Sequence, residues 1–163
     1  MDGVVVLNAD FNQINVISWK RVFTLIEKGK VEVVKSSNKI VKNYDGDKRF
    51  QIPLVVRLIN FIKNVYSKNP SFSKKNVKIR DLNTCAYCGI KNKKMTIDHI
   101  IPLSSGGKNS WTNCITSCQK CNSKKGNKSL KDSGLKLNFQ PYVPSIKKFI
   151  ECKMIVSGYN INL

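Results

Sequence analysis

The chain has 163 residues, a hydrophobic fraction of 41% and a formal net charge of +19. That length suits one ordinary domain or two small ones, and the apolar content excludes wholesale disorder. A field of this sign selects a polyanionic partner, nucleic acid first and an anionic membrane surface second.

In chain order, residues 3–8 are β-branched and apolar and predict a strand. Residues 17–28 predict an amphipathic helix, with Ile17, Val22, Leu25 and Ile26 on one face and Gly29 as the C′ residue. Val31 to Val34 predict a short strand. Asp45-Gly46 is a hairpin-turn signal between Lys39–Asn43 and Lys48–Ile52. After Pro53, the spacing of Leu54, Leu58, Phe61 and Ile62 predicts a second helix over 54–65. Ser67 to Lys78 is polar and basic and reads as a linker, a nucleic-acid-contacting arm or a solvated loop. From Arg80 to about Leu135 the chain becomes cysteine-rich and turn-rich. In the tail, the apolar stretch Ile146–Val156 is expected to pack back on the core as a helix or a strand.

The organisation expected is therefore a small α+β region at 1–66, a basic linker or arm at 67–79, a cysteine-framed domain at 80–134 and a tail at 135–163. No basic leader with a long apolar core is visible, and no apolar run reaches the length of a membrane span. The chain is thus expected in a reducing cytoplasm, without membrane partners, where six cysteines suit metal binding better than disulfides.

The basic residues are 25 Lys against 4 Arg, a bias an AT-rich coding sequence would also give, but it does not account for only 10 Asp and Glu. From Lys63 to Lys131 there are 15 Lys and Arg against Asp81 and Asp98 alone. That window holds every motif that follows.

Cys85-Ala86-Tyr87-Cys88 and Cys118-Gln119-Lys120-Cys121 are two CxxC pairs separated by 29 residues. Each tight turn presents two thiolates about 3.5–4 Å apart, and one tetrahedral Zn²⁺ can join the turns. Its role would be structural, stapling a loop-rich stretch that has little apolar surface of its own. A redox CxxC needs only one pair. Cys114 and Cys152 read as buried thiols, with Cys114 close enough to Cys118 to be a rival ligand.

Between the pairs lies Asp98-His99 in a β-prone run. Alternation along a strand sends the two side chains to opposite faces, so for both to serve one site the strand must end or bend there. Pro102 and Gly106-Gly107 supply the break. An imidazole can accept a proton near neutral pH, and carboxylate and amide oxygens favour Mg²⁺ or Mn²⁺.

Asp98-His99-Ile100-Ile101-Pro102, Gly106-Gly107, Asn113, Cys118-x-x-Cys121-Asn122 and Lys124-Lys125-Gly126 together resemble the HNH endonuclease family over about residues 80–134. Val6-Leu7-Asn8, Ser18-Trp19-Lys20-Arg21 and Lys28-Gly29-Lys30 resemble, more loosely, the leader of small stand-alone HNH proteins. The resemblance implies an α+β fold with a ββα-metal core stapled by zinc. It implies His99 as general base, Asp98 and Asn122 as ligands of a catalytic divalent ion, and Asn113 as the brace of the active-site loop. With Asn122 at the last position the chain is an H-N-N variant. Cys85, Cys88, Cys118 and Cys121 would hold the structural zinc. Lys108, Lys124, Lys125 and Lys128 are candidates for flanking phosphates. The expected substrate is DNA, double-stranded, cut to a 5′-phosphate and a 3′-hydroxyl by a monomer or homodimer. The competing readings are a non-catalytic zinc-ribbon nucleic-acid-binding protein and a Lys-rich structural protein.

Overall fold

The computed structural model describes residues 3–63, 67 and 69–159. The chain divides into two compact units, one formed by Met1–Ser67 with Ser157–Leu163 and the other by Lys68–Val156. Among the described residues no helix is long and apolar enough to cross a membrane.

The first unit is a four-stranded sheet in the order β2-β1-β4-β3. Strand β1 (Gly3–Leu7) forms a hairpin with β2 (Gln13–Ser18), followed by helix α1 (Trp19–Glu27). Strands β3 (Val31–Lys42) and β4 (Arg49–Leu58) form a long hairpin, and β4 also pairs parallel to β1. Val22 of α1 joins Val4, Val6, Val31 and Val56 in the core. Gly29 follows α1 in the left-handed region at φ +60°, which an L side chain would resist.

The helix expected over 54–65 is instead the end of β4 as far as Leu58, and positions 64–65 lie outside the described residues. Helical spacing of Leu54, Leu58, Phe61 and Ile62 was a coincidence of a strand buried on both faces. Val55 and Val56, adjacent in sequence and so on opposite faces of the strand, are both buried. Beyond it, the buried Asn8 side chain clips the backbone of Ile62 through Nδ2–H···O at 2.9 Å and N–H···Oδ1 at 2.9 Å. Phe61 and Ile62 remain exposed. Pro53 tolerates its place in β4 because the register to β3 slips at Ser36.

The second unit begins inside the expected linker. Helix α2 (Lys74–Arg80) is capped by Ser73, whose hydroxyl accepts from the Asn76 amide at 3.1 Å, and it buries Val77. Position 68 of that segment lies outside the described residues. Helix α5 (Ile146–Val156) from the tail packs on α2, and Phe149 joins Val77, Trp111 and Cys114 in a core cluster. Among the described residues this unit also holds strands β5 (Thr96–His99) and β6 (Cys114–Ser117), a 3-10 turn at Leu103–Ser105, helix α3 (Gln119–Lys125) and the short α4 (Leu130–Ser133).

A buried ion pair anchors these pieces. The Arg80 guanidinium binds Asp81 twice, at 2.7 and 3.1 Å, and also donates to the carbonyls of Trp111, Cys114 and Tyr142. Asp81 in turn accepts the Thr116 amide of β6 at 2.8 Å. Every charge-bearing atom thus has partners, the condition under which a buried pair is tolerated.

Candidate metal centre and active site

The four cysteines predicted to share an ion converge. The Sγ atoms of Cys85, Cys88, Cys118 and Cys121 all lie within 4.8 Å of one another, and those of Cys88 and Cys118 are 3.8 Å apart. A tetrahedron with zinc–sulfur bonds of about 2.3 Å has an edge of about 3.8 Å, so the spacing fits Zn²⁺. Burial pushes the Cys85 thiol up, but amide hydrogen bonds from Cys118, Cys88 and Tyr87 outweigh it and bring the thiol down to about 6. Burial, followed by hydrogen bonds from Cys118 and Cys88, drives Cys121 the other way. Cys114 is buried beside Trp111 and Val77, away from this set, and Cys152 donates weakly to the Arg80 carbonyl. All six cysteines are free thiols.

Strands β5 and β6, which lie between the pairs, and helix α3, which carries the last cysteine, form a ββα unit. Strands β5 and β6 are antiparallel, with His99 opposite Cys114 and Asp98 opposite Ile115. Strand β5 ends at His99, as service to a common site requires. Asp98, His99 and Asn122 then line one cavity of about 220 Å³, together with Ile97, Pro102, Leu103, Gly126 and Asn127.

Asp98 is buried and heavily bonded. Its Oδ2 accepts the Tyr87 hydroxyl at 2.5 Å, and its Oδ1 accepts the His99 amide at 2.8 Å. The Lys125 ammonium approaches Oδ1 at 3.4 Å and donates to the His99 carbonyl at 2.6 Å. Burial, and then the bond to Asp98, raise the Tyr87 hydroxyl far above the ordinary phenol range, which keeps it a donor. His99 is half-buried, and its Nε2 lies 2.9 Å from Oδ1 of Asn109. Asn122, on α3, donates from Nδ2 to Thr96 Oγ1 at 2.9 Å and to the Ile97 carbonyl at 3.3 Å.

Asn113 closes the loop that follows the histidine. Its Oδ1 accepts the Ile101 amide at 2.8 Å, and its Nδ2 donates to the carbonyls of Ile101 and Lys108 at 3.1 and 3.0 Å. Gly107 is needed there because a Cβ would overlap the Ile101 carbonyl and crowd Asn113 Nδ2. Lys108, Lys124 and Lys128 are exposed.

Lys125 departs from expectation. Its side chain is fully buried, so it cannot lie on an outer phosphate-binding face. Its spacing of three from Asn122 puts both on one side of α3, but nothing in that spacing says the side is buried. Tyr87 and Asn109 are contacts that sequence reasoning missed. Tyr87 sits inside a CxxC turn, and Asn109 sits in a polar loop that reads as a turn.

Two family models match this chain. One, described as HNH endonuclease, matches residues 85–128, and the other, described as HNH endonuclease-associated, N-terminal domain, matches residues 4–66. Neither the curated proteins nor the solved structures contain a significant match.

Proposed function

We propose that this chain, which carries an HNH endonuclease domain and an HNH endonuclease-associated N-terminal domain, hydrolyses phosphodiester bonds in duplex DNA with His99 as general base. The observation that carries this reading is the convergence of Asp98, His99 and Asn122 on one cavity. A binding module has no use for that set.

Each residue has a stated task. Asn109 accepts the Nε2 proton of His99, which fixes the tautomer and leaves the Nδ1 lone pair to take a proton from the attacking water. Asp98 and Asn122 would hold the catalytic divalent ion, Mg²⁺ or Mn²⁺. The bonds made by Asn122 Nδ2 turn its Oδ1 into the atom offered to the ion. That ion would polarise the scissile phosphate and stabilise charge on the leaving 3′ oxygen. Asn113 and Gly107 keep the 101–108 loop closed behind the histidine. Lys108, Lys124 and Lys128 bind flanking phosphates, and the basic surface draws the polyanion in. Zn²⁺ at the four cysteines would be structural, and six cysteines without a disulfide suit the cytoplasm.

The test is nicking of supercoiled plasmid with Mg²⁺ or Mn²⁺, comparing the wild type with His99→Ala. The wild type should nick, and the variant should lose at least about a hundredfold in rate, the scale of a general base, while retaining zinc and DNA affinity. Equal cutting by both removes His99 from the mechanism. Binding without cutting by both favours the non-catalytic zinc-ribbon reading.

A further inference from the structure

The β3–β4 hairpin carries a feature that the nuclease site does not use. Strand β1 pairs with β4 only at Val55, Val56 and Arg57. Residues Ile40–Lys42 and Arg49–Gln51 therefore continue as a two-stranded ribbon past that pairing. At its end Lys42 stands directly opposite Arg49. Directly opposed residues of an antiparallel pair share a face, and like charges there destabilise the pairing.

The turn beyond is well defined. The Asn43 amide donates to the Lys48 carbonyl at 3.1 Å, the Gly46 amide to the Asn43 carbonyl at 3.1 Å, and the Lys48 amide to Asn43 Oδ1 at 3.0 Å. Asp47, the acid nearest to Arg49 in sequence, is held by Asn43 Nδ2 at 2.5 Å. Tyr44 is left at the tip with a relative exposure of 104%.

Lysines along an edge strand also guard against unwanted strand addition. That function is met by isolated charges. It does not call for a cation directly across from a second cation, and it does not explain an aromatic ring placed wholly in water. Both make sense if an anion sits between the cations and a partner covers the ring.

We propose that this ribbon is a second DNA-contacting surface, in which Lys42 and Arg49 take a backbone phosphate of duplex DNA and Tyr44 enters the adjoining groove. The major groove admits a two-stranded β-ribbon. Contacts of this kind fix register on the duplex without reading sequence. The proposal rests on nucleic acid being the substrate, but not on any residue of the nuclease cavity.

The experiment measures binding of a fluorescein-labelled DNA duplex by the full-length protein, across a salt series in magnesium-free buffer. Lys42→Ala/Arg49→Ala should weaken binding about tenfold and reduce the slope of log affinity against log salt by about one, the share of a single phosphate. Tyr44→Ala should weaken binding several-fold with no change in slope. Zinc content and melting midpoint serve as controls. Should the alanine pair disturb either, Lys42→Gln/Arg49→Gln keeps side-chain length and strand pairing and carries the same expectation.

Wild-type affinity and slope in these variants overturn the proposal. So does a loss confined to single-stranded DNA, or light scattering showing that the ribbon variants only dissociate a dimer. Cleavage is scored separately. A wild type that binds through the ribbon yet never nicks refutes the nuclease reading and leaves this one standing.

Discussion

The Tyr87 hydroxyl, held inside the first cysteine turn, donates a 2.5 Å hydrogen bond to Oδ2 of Asp98. One side chain therefore joins the cysteine frame to the cavity where Asp98 and His99 meet. A carboxylate offers about four lone-pair sites. Tyr87, the His99 amide and Lys125 occupy three on Asp98, which leaves about one to point at an ion. Partners of this kind orient a ligand and hold it in place.

Tyr87→Phe removes only that hydroxyl. The variant should fold, keep its zinc and bind DNA as the wild type does. Its affinity for Mn²⁺, read by titration calorimetry or paramagnetic resonance, should fall about 10- to 100-fold, and excess Mn²⁺ should restore much of its nicking rate. Unchanged Mn²⁺ affinity would separate Tyr87 from the site.

Asn109→Ala takes away the side-chain partner of His99 Nε2. The imidazole would then sample rotamers and tautomers unsuited to accepting a proton. Steady-state nicking should show kcat reduced about tenfold or more with KM little altered, because orientation is lost and binding is not. A change in KM alone would make Asn109 a DNA contact.

Asn113→Ala leaves the Ile101 amide without its acceptor and the Ile101 and Lys108 carbonyls without their donor. Unmaking a buried amide bond costs about 1–3 kcal/mol, which a chemical melt should register. Nicking should fall further than that stability loss explains, since the loop behind His99 opens. Gly107→Ala should give the same phenotype by pushing on the same carbonyl.

The zinc site makes its own forecast. Metal analysis should find about one Zn²⁺ per chain. Cys85→Ser should release it, and hydrogen exchange should then rise across β5, β6 and α3, because Cys85 is packed with Ala86, Tyr87, Met95 and Ile115. A protein purified free of zinc that still shows protected β5 amides would contradict a stapling role.

Sequence reasoning reached the parts of this molecule that depend on local spacing. Two CxxC turns have one plausible use, and a β-run broken by Pro102 and two glycines has to end near His99. What escaped it depends on burial decided elsewhere in the chain. Nothing in Leu54–Leu58 reveals that β1 and β3 will flank it, so its helical spacing misled. A lysine is ordinarily exposed, and only the fold shows Lys125 turned inward onto Asp98. Tyr87 and Asn109 reach partners 11 and 10 residues away, across turns whose closure no local pattern encodes.

The buried ammonium of Lys125 has a consequence for how the protein matures. It supplies Asp98 with a counter-charge that belongs to the polypeptide itself. A carboxylate so compensated imposes no demand for an ion during folding, unlike the four thiols. On the proposed function, assembly would be ordered in time: zinc would be taken up as the chain folds, and the catalytic ion would follow with the DNA.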